Sequence, residues 1–110
     1  MKRTIETKTM LTKVANQMTA AIKEAMAIFS EPAEVEKCHD RGESVDVVVY
    51  NKNTYLLTLA EVENIQKAVE PFMRVYGENI FCIFDTQPII LNLGMIHVPS
   101  MQFTIHMNKN

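Results

Sequence analysis

The run IFCIFDTQPIILNLGMIHVPSMQFTIHM, residues 80–107, decides what kind of fold this chain can adopt. It is rich in β-branched and aromatic residues, and two turn signals interrupt it, Asp85-Thr86-Gln87-Pro88 and Pro99-Ser100. The spacing predicts three strands, Ile80–Phe84, Ile89–Val98 and Met101–Met107, joined as an antiparallel meander. The last alternates cleanly, with Met101, Phe103, Ile105 and Met107 against Gln102, Thr104 and His106. Pairing across the two turns gives the middle strand opposite parities at its two ends. One extra residue at Gly94, a β-bulge, would bring Leu91, Leu93, Ile96 and Val98 onto one face. The same bulge would turn Met95 outward, and the turn at Pro99-Ser100, which sets His97 opposite Gln102, would put His97 and His106 on one side of the sheet.

Upstream, Val62, Ile65, Val69, Phe72, Met73 and Tyr76 recur at the helical period, so a helix is expected over 59–76. Thr58 and Glu61 have the spacing of a capping box. Pro71 predicts a kink, and Gly77 a stop. Before that helix, residues 44–59 read as a β-hairpin turning at Asn51-Lys52-Asn53, with Asn53 suited to the left-handed position. That register gathers Val45, Val47, Val49, Tyr55, Leu57 and Leu59 on one face. The first third predicts a long amphipathic helix over 8–29, carried by Leu11, Val14, Met18, Ile22, Met26 and Phe29 and ended by Pro32. Residues 31–44 between helix and hairpin read as an acidic linker holding Gly42, with room for one helical turn at 33–38.

The expected fold is therefore one α+β domain over 1–110. Its order is α-β-β-α-β-β-β, with a hairpin and a three-strand meander forming a five-stranded antiparallel sheet. Val48, Tyr50 and Leu56 fall on the outer face of the hairpin, and Phe81, Ile83, Ile90 and Met95 on the outer face of the meander. A sheet open to water should be polar there, so a helix on each side, a three-layer α/β/α arrangement, is the expectation. In element order the pattern resembles roadblock-type domains, three-layer proteins that dimerise and regulate small GTPases. The resemblance is one of topology over most of the chain, and it assigns no residue a role.

With 110 residues and 47% apolar composition the chain can bury a core without staples. A net charge of −2 argues against general affinity for nucleic acid or anionic membrane. Two distant cysteines, Cys38 and Cys82, and no apolar leader or membrane-length run point to a reducing, cytoplasmic setting. Three glycines, Gly42, Gly77 and Gly94, exclude glycine-rich phosphate loops and a nucleophile elbow. Cys38-His39-Asp40 invites a thiol-nucleophile or metal-corner reading, but neighbouring side chains diverge and four-ligand metal spacings are missing. No metal and no cofactor are expected. Cys82 reads as an inward packing residue with Ile80 and Phe84. The basic residues Lys2, Arg3, Lys8, Lys13 and Lys23 read as a solvated helix face.

Function then rests on what the fold leaves exposed. The expectation is a non-enzymatic interaction or regulatory module that self-associates as a homodimer or meets another protein through Val48, Tyr50, Leu56, Phe81, Ile83, Ile90 and Met95. One alternative is a small enzyme or ligand-binding domain using Cys38, His39 or His97. A second is an acidic inhibitor, its 31–46 run competing for the basic surface of a nucleic-acid-binding partner.

Overall fold

The structure is a computed structural model that describes residues 2–40 and 44–106, with side chains described for residues 9–37 and 44–106. It is α+β, but its sheet has four strands. The order is α1 (Lys2–Met26), β1 (Glu34–Asp40), β2 (Ser44–Tyr50), α2 (Leu59–Tyr76), a 3₁₀ turn (Gly77–Asn79), β3 (Ile80–Leu91) and β4 (Gly94–His106). All pairs are antiparallel, in the spatial order β1-β2-β4-β3.

The five-strand expectation fails at two places. The acidic segment contains a strand: Val35 pairs with Val49 and Lys37 with Val47. Its sequence looks like a linker because Val35 is its lone large apolar side chain before Cys38. An edge strand needs only one apolar face, and charged residues suit it. With β2's partner on that side, residues 51–58 form a loop, not the second arm of a hairpin. Asn51 builds that loop: its side-chain oxygen accepts the amides of Asn53 (2.9 Å) and Thr54 (3.0 Å). Positive φ falls at Tyr55 (62°) and not at Asn53. Gly42 and Met107 lie outside the described residues.

The second failure concerns the meander. Asp85-Thr86-Gln87-Pro88 does not turn, and β3 runs through it to Leu91. β4 likewise runs through Pro99-Ser100. Ile80 pairs with Ile105, Thr86 with Pro99, Pro88 with His97 and Leu91 with Gly94, one uninterrupted register with no bulge. The turn is Asn92-Leu93. Neither residue takes positive φ, so the mirror-image turn usual for such short hairpins is not used. Gly94 absorbs the mismatch at φ 154°, a value open to glycine. Both prolines are tolerated for one reason. A residue without an N–H fits where that group would point out of its hairpin. Pro88 and Thr86–Pro99 lie two residues apart on β3, so both fall in the same phase of the ladder.

Both helices lie on one face of the sheet. Leu11, Val14, Met18, Ile22 and Met26 of α1 and Ile65 and Val69 of α2 share a core with Val35, Val45, Val47, Val49, Ile80, Met101, Phe103 and Ile105. The architecture is two layers rather than three, and the shortest dimension, 18 Å, leaves no room for a third at about 10 Å per layer. The three-layer likeness to roadblock-type domains goes with it. On the opposite face the distal half of the β3–β4 hairpin curls back. Ile89, Ile96 and Val98 cover Val48 and Tyr50 in a second, smaller core.

Helix ends differ from expectation in detail. α1 ends at Met26, three residues short of Phe29, while Phe29 still packs partly against the core. The capping box is present: Thr58 Oγ1 accepts the Glu61 amide at 3.1 Å, and Glu61 Oε1 accepts the Thr58 amide at 3.0 Å. Glu61's other oxygen receives the Asn51 amide group at 3.4 Å, and the same group donates to the Glu31 carbonyl at 2.9 Å. Asn51 and Glu61 are both buried, so these bonds tie the end of β2, the start of α2 and the approach to β1 together. The helix continues through Pro71 to Tyr76, and Gly77 enters the 3₁₀ turn with helical dihedrals instead of a left-handed stop.

Candidate functional site

α1 packs over β1 and β2, and α2 packs against the flank of α1. Ile80 at the start of β3 joins the core shared with both helices, but residues 81–84 beyond it are left exposed. Cys82 and Phe84 project from the helical face of that strand, on the side expected, yet both are exposed, Phe84 at 70%. Phe81 (56%) and Ile83 (48%) are exposed on the opposite face. Residues 80–84 carry no charge on either side. Farther out, Ile90, Leu93 and Met95 stand free on the arm.

The backbone of β3 is open as well, because β3 is an edge. Pro88 fixes which groups point away from β4. If the phase at Pro88 is outward, then at the two-residue repeat of a strand Ile80, Cys82, Phe84 and Thr86 also direct N–H and C=O outward. Phe81, Ile83 and Asp85 are committed to β4.

Between α2 and the sheet on this side runs a cleft of about 660 Å³. Its floor is Cys82, Phe84, Met101 and Phe103, and its wall is Glu63, Gln66, Lys67, Val69, Glu70 and Met73. The floor is apolar, and the surrounding burial pushes the Cys82 thiol above its ordinary range, which keeps it protonated and a poor nucleophile at neutral pH. The wall carries charge in alternating sign. Lys67 pairs with Glu63 at 3.3 Å, and Arg74 pairs with Glu70.

Comparison with protein-family models, with curated proteins and with solved structures found no match. The surface must therefore be read from its own chemistry.

The residues expected at an interface do not form one patch. Val48 and Tyr50 are buried beneath the curled arm. Leu56 is half-exposed in the 51–58 loop, away from the sheet. Phe81 and Ile83 remain together, but Ile90 and Met95, which pair with each other, belong to the opposite face because β3 runs straight through residues 85–88. Phe84 and Cys82 join the surface without having been expected there. Their helical-face parity was legible, but the absence of a helix above them was not.

The turn not made at Pro99-Ser100 separates the histidines. His97 and His106 lie nine residues apart on an unbroken β4 and point to opposite faces. The His106 ring stacks on Phe81, with centroids 4.9 Å apart and planes 8° from parallel. The enzyme-like set is also dispersed. Cys38 pairs with Asp46, which pairs with Thr104, whereas His97 is seven residues farther along β4, about 23 Å away at roughly 3.3 Å per residue. Among the described residues no three His, Cys, Asp or Glu side chains gather as a metal would require. No described helix is long and apolar enough to cross a membrane.

The acidic strand is occupied with contacts inside the chain. The Tyr50 hydroxyl donates to Glu36 at 2.7 Å, Lys52 pairs with Glu34 at 2.7 Å, and Lys37 donates to Asn16. Burial, then the Glu36 and Glu34 carboxylates, hold the Tyr50 hydroxyl well above the usual phenol range. The Glu34 partner raises Lys52 likewise.

Proposed function

We propose that this chain is a protein-interaction module, without catalysis of its own, that self-associates through the β3 side of its sheet. One observation carries the reading: an uncharged edge, Phe81–Phe84, exposed on both faces, on a strand with no neighbour beyond it. A long, flat, apolar edge is a template for pairing with another strand, and proteins that remain alone blunt it with charge, cover or brevity. Here Pro88 blunts only the outer half. The interface residues proposed are Phe81, Ile83 and Phe84, with Ile90 and Met95 on the arm.

Light scattering over a dilution series tests this. The wild-type chain is expected to lose mass on dilution, and Phe84→Asp to stay monomeric throughout while keeping its far-ultraviolet dichroism. A wild-type chain that is strictly monomeric at high-micromolar concentration contradicts self-association.

A further inference from the structure

Resting on the association proposed above, we infer that a second copy of this chain docks by pairing its β3 antiparallel with β3 of the first, about a two-fold axis through Ile83, with the two α2 helices side by side. Three independent features select this arrangement.

The first is the backbone phase. Outward groups on Ile80, Cys82, Phe84 and Thr86 must meet outward groups of the second copy, so even-numbered residues pair with even-numbered residues. Centring on Ile83 pairs Cys82 with Phe84 of the second copy and Ile80 with Thr86 of the second copy. This ladder spans Ile80–Thr86 and ends before Pro88, which has no N–H to donate. Moving the axis to Phe84 would set Pro88 against Ile80 and lose that bond. Moving it to Cys82 would shorten the ladder to five residues.

The second is charge. Along α2 on the cleft side and toward its C-terminal end the sequence places Glu63, Lys67, Glu70 and Arg74, signs minus, plus, minus, plus. Turned end for end, that row becomes its own complement. Lys67 then faces Glu70 of the second copy, and Glu63 faces Arg74 of the second copy. A row of this kind suits an antiparallel copy of itself, and a parallel copy would set like charges together.

The third is position. The midpoint of the charge row lies about 11 Å back along α2 from Tyr76, at 1.5 Å per residue. Ile83 lies about 10 Å forward along β3 from Ile80, at roughly 3.4 Å per residue. Only the three-residue turn Gly77–Asn79 separates these two elements. One axis therefore serves both rows. The exposed parts of Phe81 and Phe84 supply roughly 250 Å² per copy, about a third of the area a standard interface buries per partner, and the strand edge and α2 row supply the rest. In this arrangement β3 beyond Thr86 passes the start of β3 in the second copy.

Charge reversal and cross-linking test the geometry. Lys67→Glu and Glu70→Lys singly are expected to weaken dimerisation roughly tenfold. The double variant K67E/E70K is expected to return to within about threefold of wild type. Inside one chain the double variant sets Glu63 beside a new carboxylate and Arg74 beside a new amine, so a purely intrachain role predicts no rescue. In a C38S/C82S background, Ile83→Cys is expected to oxidise to a covalent dimer much faster than Ile90→Cys, since facing non-hydrogen-bonded residues stand about 4.5 Å apart at Cα, within disulfide reach. Association that persists in light scattering while Ile83→Cys gains no advantage and the double variant is not rescued overturns this geometry alone. Absence of any dimer overturns it together with the association reading.

Discussion

At one edge of the sheet β1 presents Glu34, Glu36 and Lys37, each engaged by a neighbour, and Val35 buried under α1. At the other edge β3 presents Phe81-Cys82-Ile83-Phe84, exposed and with no charge. The two strands have the same neighbours in kind, one antiparallel partner and one open side. They differ in what has been done about the open side. β1 is finished within the chain by ion pairs and a helix, and β3 is left for something outside it. An edge strand can be read for self-sufficiency by asking whether its polar and apolar groups already have partners.

The sharpest contrast comes from placing one charge on each edge. Val35→Lys forces an ammonium among α1 side chains and is expected to cost about 3 kcal/mol of unfolding free energy. Phe84→Lys at an exposed position is expected to stay within about 0.5 kcal/mol of wild type when both are compared dilute enough to be monomeric. Urea titrations of the two variants check both, and equal losses would erase the distinction between the edges.

Asn51→Ala breaks the anchored side at its joint. It removes partners from the Glu31 carbonyl, the Glu61 carboxylate and the Asn53 and Thr54 amides, so a loss of about 2 kcal/mol is expected in the same titration. A change under a few tenths would mean that these bonds are replaced by water.

Tyr50→Phe removes the bond to Glu36 and should cost about 1 kcal/mol at neutral pH. It also changes the alkaline limb. Folding raises the Tyr50 pKa, so above about pH 10 the unfolded chain has lost a proton that the folded chain keeps. Stability from this group is complete below that pH and declines as pH rises through the window above it. The decline is expected to be shallower in Tyr50→Phe, and parallel curves would remove the assigned cause. Smallest is Tyr55→Asn, which places a residue tolerant of left-handed φ at 62° and is expected to gain about 0.5 kcal/mol by thermal melting.

Helices and their core faces were legible because apolar residues at spacings of three and four have few other uses. Leu11, Val14, Met18, Ile22 and Met26 are all buried. The sheet was less legible because its strongest cues acted against their local meaning. Asp85-Thr86-Gln87-Pro88 has turn chemistry, yet in an edge strand the missing N–H of Pro88 costs nothing. Asn51-Lys52-Asn53 does turn, but into a loop toward α2, since β2 had a better partner in the charged segment before it. Each error moved parity by one or added a strand, and a one-residue change sends a strand's side chains to the other face. Phe81 and Ile83 precede the turn that is not made and kept their face, Ile90 lies beyond it and changed face, and Val48 and Tyr50 kept theirs but became core because the long β3–β4 arm covers them.

Amide hydrogen exchange along β3, followed over a dilution series, addresses the open edge most directly. At high-micromolar concentration the amides of Cys82, Phe84 and Thr86 should exchange slowly, and dilution should release them, while Phe81 and Ile83, bonded to β4, stay slow throughout. Fast exchange at Cys82, Phe84 and Thr86 at every concentration would contradict the claim that this edge is completed by a second copy.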